Sequence, residues 1–139
     1  MPKHTIRGSI AMKRMALIML SAVTLLALVA CGGNKVDDAT SEKYIRQAEE
    51  IVSLMNEGNY KQVHAMFDEQ MKAELSVEQM GELTPIIEQS GNFEKIDKSS
   101  VEEKDGYYIV VLVAKYSEEN RTFTISFNDN EEVAGLFMK

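Results

Sequence analysis

The hydrophobic pattern of this chain changes its period at Gly91, and this change limits the folds that the chain can adopt. Before Gly91, apolar residues recur at steps of three and four, which is typical of helices that bury one face. After Gly91, apolar and polar residues alternate, which is typical of strands. Helices followed by strands in one short chain predict an α+β domain, in which the helices pack on one face of an antiparallel sheet.

Three helices are predicted before Gly91. The first covers residues 41–57, with Thr40 or Ser41 as its N-cap and Gly58 just after its end. Its apolar stripe comprises Tyr44, Ala48, Ile51, Val52 and Met55. The second is short and follows Asn59, and its stripe comprises Tyr60, Val63, Phe67 and Met71.

The third helix is predicted to begin at Ser76 and to end near Gly91. Ser76 and Gln79 have the spacing of a capping box, in which each side chain bonds the other residue's backbone N–H. Pro85 lies inside this helix, where it removes one backbone donor and crowds the preceding turn. We therefore expect a kink or a break near Thr84.

Four strands are predicted after Gly91. Asp105-Gly106 is a strong two-residue hairpin signal between strands at residues 93–103 and 107–117. The third strand contains Phe123, Ile125 and Phe127 on one face, and the last covers residues 132–138. The predicted fold is three N-terminal helices packed on a curved four-stranded antiparallel sheet.

The domain resembles the nuclear-transport-factor-2-like (cystatin-like) superfamily, and more narrowly a branch of unknown function found on bacterial lipoproteins and beside hydrolase domains. The resemblance spans roughly residues 44–138. It is carried by Asn59-Tyr60 through Phe67, Gly91-Asn92-Phe93, Asp105-Gly106, the strand from Phe123 to Phe127, and Gly135-Leu136-Phe137. These are packing and turn motifs, so the resemblance implies a cone-shaped fold and no catalytic residue. Pro85 departs from the continuous helix that members usually have.

The N-terminal 30 residues have the order of a secretory signal peptide. Four basic residues and no acid precede an apolar run at residues 15–30, whose sixteen residues are fewer than the roughly 20 that a helix needs to span a bilayer. The run ends in Leu28-Val29-Ala30-Cys31, which resembles the lipobox of bacterial lipoproteins. The resemblance implies cleavage before Cys31, with Leu28 and Ala30 as signal-peptidase recognition residues, and a diacylglycerol on the thiol.

This interpretation divides the chain into a signal peptide at residues 1–30, a lipidated cysteine and flexible tether at 31–40, and a domain at 41–139. Two acyl chains give stable anchoring, so the expected location is the extracytoplasmic face of the cell membrane. The alternatives are an uncleaved membrane helix and a thiol nucleophile. Cys31 has no histidine near it in sequence to lower its pKa, which disfavours the second alternative.

Charge and cysteine content exclude several partners and cofactors. Residues 31–139 contain all 22 acidic residues and 11 of the 15 basic ones, which gives a net charge of −11. Nucleic acid is excluded as a partner because phosphate binding needs a basic footprint. The same charge predicts that the domain stays clear of an anionic membrane. One cysteine allows no internal disulfide, no Cys/His cluster is present for zinc, and residues 128–132 form a turn without the EF-hand spacing, so we expect no metal or cofactor.

Two side chains are candidate general bases. His64 borders the stripe of the second helix, and Asp68 follows it at i+4, so a histidine–aspartate pair is sterically possible. Asp97, between Lys95 and Lys98, is a second candidate on the first strand. Some enzymes of the resembled superfamily use such groups to abstract a proton in the pocket between helices and sheet. Without such a role, His64 is a boundary side chain and Asp97 a solvated one.

Aromatic and methionine side chains are predicted to meet where the helices cross the sheet. The members of this set are Tyr60, Met66, Phe67, Met71, Phe93, Tyr108, Phe123 and Phe127. They form a core, or they line an apolar cavity of the kind that the resembled fold often leaves open and that binds small apolar ligands.

Two classes of function follow from these features. The first is a membrane-anchored, non-catalytic module that binds a small ligand or another protein. The second is a small isomerase- or dehydratase-like enzyme that uses His64 or Asp97 as a base. A further expectation concerns the second strand, whose outward residues Ile109, Val111 and Val113 are apolar. An exposed patch of this kind predicts a homodimer formed through the sheet.

Overall fold

The computed structural model describes residues 34–139. The predicted signal peptide, its recognition residues Leu28 and Ala30, and the predicted lipidation site Cys31 lie outside these residues. Among the described residues, the buried core lies between Tyr44 and Val133. Residues 34–139 form one compact unit.

The longest of the described helices, α1, spans Asp38–Asn56 and carries the predicted stripe on its buried face. It begins three residues earlier than predicted, because the side chain of Asp37 accepts a 3.1 Å hydrogen bond from the Thr40 N–H and serves as the N-cap. The prediction of Thr40 or Ser41 as the cap is wrong. Gly58 adopts a φ of +75° just after the helix, as expected of a residue that ends it.

The predicted second helix is two helices, α2 at Tyr60–Ala65 and α3 at Glu69–Glu74. The chain leaves the helical path at Phe67, which forms an isolated bridge with Val133 near the other end of the sequence. Two backbone hydrogen bonds of 2.9 Å, from Asp68 N–H to Val133 and from Val133 N–H to Met66, hold this bridge. Asp68 then caps α3 by accepting from the Met71 N–H at 2.8 Å.

The predicted third helix begins at Ser76 with the expected capping box and breaks at the expected place. It consists of α4 at Val77–Met80, a 3-10 turn at Gly81–Leu83 and α5 at Thr84–Gln89. Pro85 lies in the first turn of α5, where the backbone N–H that proline lacks has no helical partner to bond. The prediction of a break near Thr84 is confirmed.

Within the described residues, the sheet has five antiparallel strands in the order of the chain: β1 at Asn34–Lys35, β2 at Phe93–Lys104, β3 at Tyr107–Tyr116, β4 at Asn120–Phe127 and β5 at Val133–Met138. Asp105 and Gly106 both have positive φ, 54° and 84°, which confirms the tight hairpin between β2 and β3. The predicted four-strand count is wrong by one. Asn34 and Lys35 pair with Glu103 and Glu102 at the edge of the sheet, so ordered structure starts within the segment predicted to be a tether.

The helices pack on one face of the sheet. Tyr44 of α1 stacks on Tyr108 of β3 with ring centroids 4.4 Å apart, and its ring lies 5.2 Å from that of Phe127. The inward residues of β3 and β4, among them Leu112 and Phe123, are fully buried. The outward residues Ile109, Val111 and Val113 are half-buried, and they lie on the opposite side of the sheet, against which none of the described helices packs.

Candidate functional site

The structure places the two candidate bases on different elements. His64, at the end of α2, is half-buried, and its ring lies 5.3 Å from the ring of Phe67. Asp68 is occupied as the cap of α3, and within residues 34–139 it forms neither a hydrogen bond nor an ion pair with His64. Asp97 is exposed on β2, with one carboxylate oxygen 4.0 Å from Lys95 Nζ. The sterically possible histidine–aspartate pair does not form.

The aromatic set predicted for a pocket mostly fills the space between helices and sheet. Tyr60, Phe67, Met71, Phe123 and Phe127 are buried, while Met66 and Tyr108 are partly buried against them. Tyr60 also donates to, or accepts from, the Thr84 hydroxyl at 2.8 Å. Phe93 is the exception, since 43% of its surface is exposed. Two members, Met66 and Phe127, also border a shallow surface groove of about 280 Å³ beside Glu131.

Phe93 borders a groove of about 350 Å³ at one end of the domain, where α1 and α5 end, β2 starts and β3 ends. We call it the Phe93 groove. Its lining residues are Asn56, Ile87, Glu88, Gly91, Asn92, Phe93 and Tyr116. The Phe93 ring meets the ring of Tyr116 edge-on, with centroids 5.5 Å apart. The Tyr116 hydroxyl donates a short hydrogen bond to Asn56 Oδ1.

A hydrogen-bond network centred on Ser90 lies between the groove residues Glu88 and Gly91 in the chain. Ser90 is fully buried at the end of α5, where its hydroxyl donates to the Ile86 carbonyl at 2.9 Å and accepts from Arg121 Nε at 2.7 Å. Its carbonyl accepts from the N–H groups of Glu118 and Glu119, in the turn between β3 and β4. The network therefore fixes α5 to that turn.

Gly91 brings the chain from this network into β2. It has a φ of +89°, and a Cβ at this position would collide with the Oγ of Ser117. The close approach allows Ser117 Oγ to accept from the Asn92 N–H at 2.9 Å, and the Ser117 N–H to donate to the Asn92 carbonyl at 2.8 Å. These bonds set the position of Asn92 and Phe93 in the groove.

The Phe93 groove combines an aromatic wall with polar side chains. Burial raises the pKa of the Tyr116 hydroxyl, against the opposing effects of its hydrogen bond to Asn56 and of the Arg121 charge, so the hydroxyl is neutral. The aromatic wall offers a stacking surface, while Asn56, Asn92 and Glu88 offer amide and carboxylate groups. No group of His, Cys, Asp and Glu in the described part of the chain is arranged to hold a metal ion.

Sequence reasoning included Phe93 in the pocket set but missed Asn56, Ile87 and Glu88. The tripeptide Gly91-Asn92-Phe93 was a usable signal, because a glycine before an aromatic strand residue often marks a close backbone approach. Its partners could not be found in the same way, since they come from α1, α5 and β3.

The outward side of β3, β4 and β5 is a second candidate surface, which we call the open sheet face. Its members are Ile109, Val111, Val113, Thr122, Thr124, Ser126 and Phe137, which the strand register places side by side. Phe137 is 76% exposed and borders a shallow groove of about 300 Å³ with Thr122 and Thr124. No helix within residues 34–139 packs on this face, and none of those helices is long and apolar enough to cross a bilayer.

Comparison with known families identifies the domain. The sequence model of a family described as "Protein of unknown function (DUF3887)" matches residues 48–136. The chain belongs to this family. The match begins in α1 and ends in β5, so it includes the Phe93 groove and all of the open sheet face except Phe137.

A solved structure supports the same fold for the DUF3887 domain. The NMR structure of a protein from Ruminococcus gnavus ATCC 29149 aligns with a TM-score of 0.62 and 21% sequence identity. The alignment covers 76% of this chain and 97% of the other, so a protein of little more than this domain folds by itself. No curated protein matches the sequence.

Proposed function

We propose that this protein is a lipid-anchored extracytoplasmic protein whose DUF3887 domain binds a small amphipathic ligand without catalysing a reaction. The observation that carries the binding role is the Phe93 groove. It combines an exposed aromatic ring, a buried and neutral tyrosine hydroxyl and two side-chain amides in one concave site. Binding sites for small molecules combine apolar walls with a few fixed polar groups in this way.

The proposed ligand has a flat apolar part and a hydrogen-bonding or cationic group. The Phe93 ring would contact the flat part, and Glu88 with Asn92 would orient the polar group. The network of Ser90 and Arg121 fixes the groove before a ligand arrives, which lowers the ordering cost of binding. The proposal gives His64 and Asp97 no chemical role, because neither borders this groove.

A ligand screen on residues 34–139 tests this role. The domain offers a matched pair of variants, since Phe93→Ala and Phe137→Ala each remove one exposed phenyl ring from the sheet. For any ligand found by NMR or thermal shift, we expect Phe93→Ala to weaken affinity at least about tenfold, which corresponds to roughly 1.4 kcal/mol. Phe137→Ala should leave the affinity unchanged. Equal affinities for Phe93→Ala and the parent would contradict the proposed site.

The anchor is a separate part of the proposal, and it rests on the order of charge, apolar run and Leu28-Val29-Ala30-Cys31 at the N-terminus. We expect Cys31 to be the N-terminus of the mature protein and to carry acyl chains. Intact mass of the protein extracted from membranes tests this. Retention of residues 1–30, or a mass without acyl chains, would contradict it.

We also propose that the domain adopts the nuclear-transport-factor-2-like cone. The support is an antiparallel sheet in chain order with all described helices on one face. This chain departs from the expected three helices and four strands in two ways. Its helical layer is divided into five helices, and its sheet has an additional short edge strand, β1.

A further inference from the structure

The open sheet face differs in charge from the rest of the domain. Side chains alternate along a strand, so residues paired across the register lie on the same side. Lys98 pairs with Val113, Lys104 with Tyr107, and Lys139 with Thr122 through two backbone hydrogen bonds. Lys35 of β1 pairs with Glu102 of β2, and Glu102 pairs with Ile109 of β3, so Lys35 also lies on this side of the sheet. Four lysines therefore surround an apolar centre.

Within residues 34–139, none of these four lysines forms a salt bridge. The salt bridges among residues 34–139 involve Lys43, Arg46, Lys95, Lys115 and Arg121. Lys95 and Lys115 also lie on this side of the sheet, but each has a carboxylate 4.0 Å away. The strand register also places one acidic residue, Glu102, between these four lysines. The open sheet face is thus positively charged in a protein whose net charge after residue 30 is −11.

The excess of acids lies largely elsewhere, and much of it is on the helical layer. Exposed acids on that layer include Glu42, Glu49, Glu50, Glu69, Glu74, Glu78, Glu82 and Glu88. A helix with its side chains is about 10–12 Å thick. Charges on the far side of a helix are therefore more than about 8 Å from anything that touches the open sheet face. Because the Debye length is about 8 Å at physiological ionic strength, salt largely screens these charges there. The argument from net charge, which predicts that the domain stays clear of an anionic membrane, therefore does not extend to this face.

The position of the anchor brings this face to a membrane. Cys31 lies three residues before Asn34, and a chain of that length extends at most about 10 Å. Asn34 and Lys35 form the edge strand beside the end of β2, next to the β2–β3 turn. A lipid on Cys31 thus holds one corner of the sheet against the bilayer surface, where the local concentration of headgroups is high.

We propose that the open sheet face docks on the anionic surface of the membrane to which Cys31 is anchored. This inference rests on the lipid anchor of the proposed function. Lys35, Lys98, Lys104 and Lys139 contact anionic headgroups, and each lysine near such a surface strengthens binding about fivefold. Phe137 enters the interfacial region, where amphipathic surfaces place phenylalanine. The Phe93 groove, at one end of the sheet, is then carried at the membrane surface.

Charge disfavours a second copy of the chain as the occupant of this face. Two copies stacked face to face would bring eight lysines together with two Glu102 side chains. Like charges opposed across an interface weaken association. An anionic bilayer complements the same lysines and accepts the apolar centre. We therefore favour the membrane over the homodimer predicted from Ile109, Val111 and Val113.

The test couples residues 31–139 to maleimide-bearing lipid through Cys31, the only cysteine of the chain. The chain contains no tryptophan, so Phe137→Trp introduces a single fluorescent probe on the open sheet face. We expect a blue-shifted emission and quenching by brominated lipid on vesicles with about a third phosphatidylglycerol. Both effects should disappear on vesicles of pure phosphatidylcholine. They should also disappear at about 0.5 M salt, because screening then limits the attraction between charges to a few ångströms. A probe at Ser53→Trp, exposed on α1, should stay unquenched on either vesicle.

Matched lysine variants complete the test. Lys98→Gln with Lys139→Gln should lower the quenched fraction several-fold, while Lys61→Gln with Lys72→Gln, on α2 and α3, should leave it unchanged. Equal quenching at the Phe137→Trp and Ser53→Trp probes would overturn the proposal. A second outcome would also overturn it. If the emission of the indole at position 137 shifts to the blue without vesicles, and the shift grows with protein concentration, the face binds a second copy of the chain. Chemical coupling supplies the anchor whether or not Cys31 is acylated in cells, so these outcomes are independent of the intact-mass result.

Discussion

Arg121 Nε donates a 2.7 Å hydrogen bond to the hydroxyl of Ser90, and that hydroxyl is fully buried. Only 14% of the Arg121 side chain is exposed, and its second contact is a 2.9 Å ion pair with Glu119. A guanidinium with so little water around it depends on both partners. The contact therefore ties the helical layer to the β3–β4 turn beside the Phe93 groove.

Replacement of Ser90 tests this dependence. Ser90→Ala should lower the free energy of unfolding by about 1–3 kcal/mol, because it leaves the Arg121 Nε–H without its acceptor. Urea denaturation of residues 34–139 measures the change. Ser53→Ala, at an exposed position on α1, is the matched control and should change stability by no more than about 0.5 kcal/mol. Equal effects of the two substitutions would contradict the role assigned to Ser90.

A second prediction separates backbone strain from collision at glycine. Gly58 and Gly91 both have positive φ, but a Cβ at Gly58 would meet open space, whereas one at Gly91 would strike Ser117 and Glu118. Gly58→Ala should cost about 1–2 kcal/mol from conformation alone. Gly91→Ala should cost clearly more and should shift the NMR resonances of Asn92 and Phe93. The same loss of stability in both variants would show that the close approach to Ser117 is unimportant.

The third prediction concerns acid stability. Hydrogen bonds from Gln47, and then from Lys43, lower the pKa of Glu131 below its ordinary value of 4.5. Because the folded state favours the charged form, this stabilisation is present above about pH 4.5 and is lost as pH falls through the lowered pKa. NMR titration of the Glu131 carboxyl should give a midpoint below 4.5 in the parent. Gln47→Ala should move that midpoint upward, and Glu131→Gln should lose less stability on acidification than the parent.

The fourth prediction distinguishes a binding protein from an enzyme. His64 is half-buried and contacts the Phe67 ring, so His64→Gln should change the free energy of unfolding by no more than about 1 kcal/mol. Val63→Ala, one residue earlier and fully buried, should cost about 2 kcal/mol. Ligand affinity should survive His64→Gln. If the parent shows a turnover that this variant loses with its melting point intact, His64 is a general base, since such a base contributes about a hundredfold or more in rate.

Local chemistry explains which parts of the fold were predictable. The stripe of α1, the capping box at Ser76, the break at Pro85 and the Asp105-Gly106 turn each depend on residues close together in sequence. The break at Phe67 was not predictable in this way. It depends on Val133, and periodicity along the second helix carries no information about that distant partner.

The candidate site shows the same limit. Hydrophobic pattern identified the side chains that face inward, but it could not tell a filled core from a cavity, because that depends on how the two layers pack. Tyr108 was a candidate for lining a pocket, but the ring of Tyr44 stacks on it and fills the space beside it. The Phe93 groove arises where three elements end together, so its lining becomes visible only once the fold is known.

The edge of β2 also affects how neighbouring molecules meet. In the part of the chain that the structure describes, strand β1 pairs with Glu102 and Glu103 of the twelve residues in β2. Two register irregularities, at Phe93–Lys95 and Ile96–Lys98, interrupt the rest, and Glu94, Lys95, Asp97 and Lys98 place charges along it. An edge that is kinked and charged is a poor template for pairing with a strand of another chain. Copies crowded on a surface can therefore collide side by side without growing into a continuous aggregated sheet.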